Sequence, residues 1–211
     1  MAATSGEAKR RLILLLGGAR SGKSAYGETL ASRLAGSMPV LYIATAPPSD
    51  DEMRERIARH RASRPAHWHT TEEQINPASA LQSSTETVVL LDCVTLLVAN
   101  LLLEGAPHGE NFDEAPVVSA GAEARVDHAI TDLLDAWRAR TTTLILISNE
   151  VGMGLVPPYP LGRVYRDCLG RINARLADEA DTVLLMVAGL PIELKTLAAA
   201  WQREATRRFD I

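Results

Sequence analysis

The stretch Leu12-Ile13-Leu14-Leu15-Leu16-Gly17-Gly18-Ala19-Arg20-Ser21-Gly22-Lys23-Ser24 decides the fold. Its first five residues are apolar without a break, which marks a strand buried on both faces. The next eight fit G-x-x-x-x-G-K-[ST] at every constrained position, and helix formers such as Ala25, Glu28 and Leu30 follow. Strand, glycine-rich turn and helix in that order build an anion nest. Backbone N–H groups converge where no Cβ intrudes, and the positive end of the helix dipole points at the same spot. Gly17, Gly18, Ala19, Arg20, Ser21 and Gly22 are therefore expected to cradle phosphates. Lys23 is expected to reach the β- and γ-phosphates as a point charge, and the Ser24 hydroxyl to ligate Mg²⁺. A glycine turn that merely closes a strand onto a helix is the plainer alternative, and the full spacing with both flanks weighs against it. Kinases, ATPases and switches share the motif, so it leaves the reaction open.

Outward from this stretch, short β-rich runs alternate with longer amphipathic ones, the pattern of a parallel sheet covered on both faces. Strands are expected at 12–16, 40–44, 87–91, 144–148 and 183–187, and helices near 22–34, 50–63, 95–103, 122–140 and 161–177. A short strand at 192–195 follows Gly189 and Pro191 closely enough to pair antiparallel as an edge hairpin. The expected fold class is α/β, a RecA-like P-loop NTPase with a mostly parallel sheet. One domain is expected over 1–211, with its core at about 12–195, a polar leader at 1–10 and a surface helix in the tail at 196–211. The segment 104–121, rich in Gly, Pro and acidic residues, reads as an exposed loop.

The 211 residues are 46% hydrophobic and 23% charged, ample for one packed core. A net charge of -4 and a pI near 5.8 argue against binding that neutralises many nucleic-acid phosphates, so no nucleic-acid partner is expected. Cys93 and Cys168 are too few for a disulfide framework and lack zinc spacing, so both read as small buried hydrophobes. Trp68, between His67 and His69, reads as a core tryptophan, with stacking on a base or another flat ligand face as the sharper alternative. No apolar run approaches the roughly 20 residues of a membrane span. A cytoplasmic protein is expected.

Asp92 ends the apolar run Thr87-Val88-Val89-Leu90-Leu91, where a second metal-side acid belongs; the competing reading makes it the N-cap of the next helix. The run from Asp50 to Arg61 begins acidic and turns basic, complementing a helix dipole. Helical spacing would bracket His60 with Arg56 and Arg64, two guanidinium groups able to grip a triphosphate and to favour a neutral, nucleophilic imidazole. A solvated helix face on which His60 is incidental fits the same spacing. Glu72 reads either as a carboxylate that holds a base or ribose, or as an acid in the first turn of a helix.

The wording of five stretches resembles the adenosylcobinamide kinase / adenosylcobinamide-phosphate guanylyltransferase family of cobalamin biosynthesis. They are Gly17 to Ser24; Tyr42-Ile43-Ala44-Thr45-Ala46; Asp51-Glu52-Met53 with Arg56-Ile57 and His60-Arg61; Arg64-Pro65 with Trp68, Thr70 and Glu72; and Ser148-Asn149-Glu150-Val151-Gly152-Met153-Gly154. The resemblance implies phosphorylation of adenosylcobinamide by ATP or GTP, then transfer of GMP from GTP to adenosylcobinamide phosphate with release of pyrophosphate. By the same analogy His60 and Lys23 are catalytic, His60 carrying GMP as a phosphoramidate. Nucleotide contacts map onto Gly17 to Ser24, Ala44, Thr45, Ala46, Arg61, Ala62, Ser63, Arg64, Glu72 and Asp92, with Ser24 and Asp92 on Mg²⁺. Some relatives have Glu at position 92, an equivalent hard oxygen ligand. A homo-oligomer, typically a trimer, is implied as well. Two other readings stay open: a P-loop kinase without guanylyltransferase activity, and a nucleotide switch or ATPase module.

Overall fold

The computed structural model describes residues 10–47, 55, 61, 64–105 and 121–209, with side chains to Gln202. The expected helix at 50–63 therefore lies mostly outside the described residues, although Glu55 and Arg61 are helical. His60, Ala62, Ser63 and the greater part of the 104–121 loop also lie outside them.

The strands are β1 (Arg11–Gly17), β2 (Leu41–Ala44), β3 (His69–Glu72), β4 (Val88–Asp92), β5 (Thr143–Ile147), β6 (Thr182–Val187) and β7 (Leu190–Glu193). They form one sheet in the order β3-β2-β4-β5-β1-β6-β7, parallel except for the β6–β7 pair. The helices are α1 (Lys23–Ala35), α2 (Pro77–Ser83), α3 (Val94–Leu103), α4 (Ala122–Arg138), α5 (Pro160–Glu179) and α6 (Leu194–Phe209). This is the expected P-loop NTPase architecture, with an antiparallel hairpin at one edge.

Alternation along each central strand divides the core between the two sheet faces. Leu12, Leu14 and Leu16 join Leu144, Leu146 and Val183 against α3, α4 and α5. Ile13 and Leu15 join Leu90, Ile145 and Ile147 against Ala31 and Ala35 of α1. Each fully buried leucine or isoleucine contributes about 1.5–3 kcal/mol, so the flanking strands lock β1 in place. Because its neighbours run parallel to it, the C-terminal ends of β1, β2, β4 and β5 share one sheet edge.

Two elements fall outside the expected ones. β3 pairs with β2 at the sheet edge, and its residues His-Thr-Thr-Glu form no apolar run. α2 is only seven residues long, capped by the Asn76 side chain and opened by Pro77. Glu72 consequently closes a strand and does not sit in a first helical turn. The hairpin begins at Leu190, two residues before the expected position, because Ala188 and Gly189 take positive φ (51° and 83°) in a two-residue turn.

Candidate active site

The turn after β1 is held from behind and open in front. Gly17 has φ 149°, and a Cβ there would lie 2.6 Å from the Met186 carbonyl oxygen of β6. The Glu150 N–H donates to the Gly17 carbonyl at 3.0 Å, and the Gly189 N–H to that of Ser21 at 3.0 Å. The exit of β5 and the edge hairpin thus fix the turn's shape. Gly22 takes the N-cap position of α1 in the left-handed region, with no side-chain cap, so the first-turn N–H groups remain for an anion.

In front lies a cleft of about 570 Å³, within the range of small-molecule sites. Ala19, Arg20, Ser21, Gly22, Lys23 and Ser24 form its floor. Lys23 is buried, and its Nζ donates to the Gly18 carbonyl at 2.6 Å and to Ser21 Oγ at 3.4 Å. Burial lowers its pKa against the opposing pull of Cys93 and Asp92.

Across the floor, Asp92 closes β4 and lines the cleft. It is not a helix cap, since Cys93 occupies that position for α3. Asp92 Oδ2 accepts from the Tyr42 hydroxyl at 2.8 Å. Burial first, and Asp92 second, push the Tyr42 pKa far up, so the phenol remains a donor. Ala44 and Ala46 line the cleft, whereas Thr45 between them is fully buried. The Thr45 hydroxyl donates to the Cys93 carbonyl and accepts from the Cys93 N–H, both at 2.8 Å, clamping the exits of β2 and β4 together.

Arg61, Arg64, Thr70 and Glu72 form the far wall. Arg61 pairs with Glu72 at 3.7 Å, both exposed. Arg64 sits at a bend, and the expected i,i+4 bracket around His60 lies outside the described residues. Its guanidinium is buried over the Tyr42 ring, 3.3 Å from the centroid, with Thr70 Oγ1 at 3.3 Å and Glu28 Oε1 at 3.9 Å.

Two side chains and one buried polar network add to the expected site. Cys93 packs against the core as expected but is only partly buried: it also lines the cleft, and burial and the adjacent Asp92 push its thiol up to about 11. Tyr42 lines the same wall. The expected strand residue Ser148 anchors a buried polar chain under Asn149, which also lines the cleft. Ser148 Oγ donates to Asn173 Oδ1 at 2.6 Å, Asn173 Nδ2 to the Asn149 carbonyl at 3.0 Å, and the Asn149 N–H to Thr95 Oγ1 at 2.7 Å. Trp68 is buried in the core, away from any stacking role.

A family model described as cobinamide kinase / cobinamide phosphate guanyltransferase matches residues 13–194, nearly the whole sheet and the site at its edge. The chain belongs to this family. Among curated members, the bifunctional adenosylcobalamin biosynthesis protein CobU of Salmonella typhimurium is 41% identical over 186 residues, covering 87% of this chain and 99% of its own length. CobU of Escherichia coli is 40% identical over the same coverage. The bifunctional protein CobP of Pseudomonas aeruginosa is 42% identical over 184 residues, 86% of this chain and 96% of its own. Among solved structures, an ATPase domain aligns with a TM-score of 0.47 at 12% identity, covering 83% of this chain and 69% of that one. The span matched to the cobinamide kinase / guanyltransferase family includes the cradle, Asp92, and the Arg61 and Arg64 wall. Among the described residues, no helix is long and apolar enough to cross a membrane.

Proposed function

We propose that this chain phosphorylates the hydroxyl of adenosylcobinamide with ATP or GTP, then transfers GMP from GTP to the resulting phosphate, releasing pyrophosphate. One observation carries the reading: the phosphate cradle, a carboxylate at a strand end and the arginines that follow His60 line a single nucleotide-sized cleft. His60 directly precedes Arg61, a wall residue.

In the first reaction the turn N–H groups and Lys23 neutralise the phosphates while the acceptor hydroxyl oxygen attacks the γ-phosphorus, the bond to the bridging oxygen breaks to release the nucleoside diphosphate, and the hydroxyl proton leaves to solvent. Positioning and charge stabilisation carry most of such a transfer. In the second, a neutral His60 nitrogen attacks the α-phosphorus of GTP and pyrophosphate departs. An oxygen of adenosylcobinamide phosphate then displaces the imidazole, breaking the P–N bond. The double displacement divides one hard step into two easier ones. Arg61, Arg64 and Glu72 hold the nucleotide against the wall, Ala44, Ala46, Ala62 and Ser63 border it, and Thr45 supports that border from beneath by clamping the strand ends.

Ser24 and Asp92 are the residues that would hold Mg²⁺. Both line the cleft, Asp92 Oδ1 has no protein partner among the described residues, and no cluster of three or more His, Cys, Asp or Glu forms among them. Two protein oxygens suit an ion that keeps waters and takes phosphate oxygens. When bound, it supplies charge neutralisation at the leaving phosphates.

A homo-oligomer, a trimer by the resemblance, would cover apolar side chains exposed at Leu155 and Trp201, and light scattering tests it. The function itself is tested by incubating the protein with adenosylcobinamide, first with ATP and then with GTP, and separating the corrinoids by chromatography. The phosphate should appear first and the GDP derivative second. A phosphate that accumulates without conversion favours the kinase-only reading, and no corrinoid product at all sinks the proposal.

A further inference from the structure

Tyr42 is almost fully buried yet lines the cleft, and both of its functional parts are engaged. Its hydroxyl donates to Asp92 Oδ2 at 2.8 Å, and its ring lies under the Arg64 guanidinium at 3.3 Å from the centroid. These partners come from different parts of the chain. Asp92 closes β4, whereas Arg64 follows the arginine-rich segment that contains His60. Arg64 is fastened further to Thr70 on β3 and Glu28 on α1, so its only stacked face is the one on Tyr42 among the described residues.

We infer that Tyr42 is a positioning residue that joins the two halves of the site: its hydroxyl sets the orientation of the Asp92 carboxylate, and its ring seats Arg64, which the proposed function places against the nucleotide. This rests on the reading of Asp92 as the metal-side acid given above. A carboxylate that accepts through one oxygen has its rotation fixed and presents the other oxygen in a constant direction. A guanidinium stacked on a buried ring is held in a plane as well as at a point. Phenylalanine keeps the ring and removes the hydroxyl, so the two contributions separate experimentally.

The test measures Mn²⁺ binding to the protein–GDP complex by electron paramagnetic resonance, together with labelling of His60 by α-labelled GTP. Tyr42→Phe should weaken Mn²⁺ binding roughly tenfold to a hundredfold, the worth of a hydrogen bond to a charged acceptor. Excess Mg²⁺ should restore its His60 labelling. Tyr42→Leu should weaken Mn²⁺ binding equally and, in addition, leave His60 poorly labelled at saturating Mg²⁺. Tyr42→Met, which fills much of the same volume without a π face, should show the same two defects and decides the ring's role if the leucine variant does not fold. Adding Tyr42→Phe to Asp92→Asn should weaken Mn²⁺ binding no further. Wild-type Mn²⁺ affinity in Tyr42→Phe, or full labelling at saturating Mg²⁺ in a folded Tyr42→Leu or Tyr42→Met, overturns the inference. Wild-type Mn²⁺ affinity in Asp92→Asn alone would instead overturn the assignment of Asp92, a distinct failure.

Discussion

Gly17→Ala tests whether the cradle's shape is imposed by the strand beside it. The new Cβ would meet the Met186 carbonyl oxygen at 2.6 Å, Ser21 Oγ at 2.8 Å and Met186 Cβ at 3.3 Å. The carbonyl belongs to β6, which pairs with β1 at Gly17–Met186, so relief requires opening that end of the sheet. The φ of 149° adds strain of about 1–3 kcal/mol for a residue with a Cβ, and forced overpacking adds about 1–3 kcal/mol. A loss of about 2–6 kcal/mol follows, a large share of a typical folding free energy of about 5–15 kcal/mol. Gly18→Ala is the matched control, because nothing lies within 4 Å of its Cβ and its φ is not positive. It should stay within about 0.5 kcal/mol of the wild type. Urea unfolding followed by tryptophan fluorescence reads both variants. Equal midpoints for the two alanine variants would refute the claim that β6 shapes the turn.

Three further predictions concern chemistry and stability. His60→Ala should lose at least about a thousandfold in GMP transfer while keeping kinase activity, whereas Lys23→Ala should lower kcat/KM of both reactions about a hundredfold or more, as separate assays of the two half-reactions would show. His69 Nδ1 bonds to the buried Glu86 carboxylate, which burial pushes up but which the His69 hydrogen bond and backbone N–H groups pull down further, leaving its pKa below 4.5. His69→Ala should therefore destabilise by about 1–3 kcal/mol at neutral pH. Since the folded pKa is depressed, this stabilisation is present above 4.5 and fades as pH falls through the folded value, so the gap between wild type and variant in urea midpoint should close in acid. Asn173→Leu should strand the Ser148 hydroxyl and the Asn149 carbonyl and cost about 1–3 kcal/mol for each buried group, read from the same unfolding curves.

The fold was legible wherever local chemistry and burial agreed. β1, β4 and β5 are apolar runs sandwiched between two cores, and the turn after β1 satisfies a pattern with narrow steric requirements. β3 was not legible, because an edge strand of His, Thr, Thr and Glu has a weak burial demand and takes its conformation from pairing with β2. Asp92 could be chosen from its place at the end of a buried run. Tyr42, by contrast, reads as one more strand residue, since its partners lie 50 and 22 positions away and meet it only after β2 and β4 pair. The same pairing brings Cys93 to the cleft as well as to the core that its sequence context suggested. The contacts of Arg64 were not legible either, because Tyr42, Thr70 and Glu28 come from three separate elements and meet it only in the folded chain.

The central claim is that the segment ending at the cleft wall delivers an imidazole to the α-phosphorus of a nucleotide held by the cradle. The most direct measurement is incubation with α-labelled GTP and Mg²⁺, followed by proteolysis and mass mapping of the modified peptide. The account predicts one GMP per chain, acid-labile and base-stable, on His60, and none when Lys23 is replaced by alanine. A protein that turns over GTP but carries no label, or carries it on another residue, would contradict it.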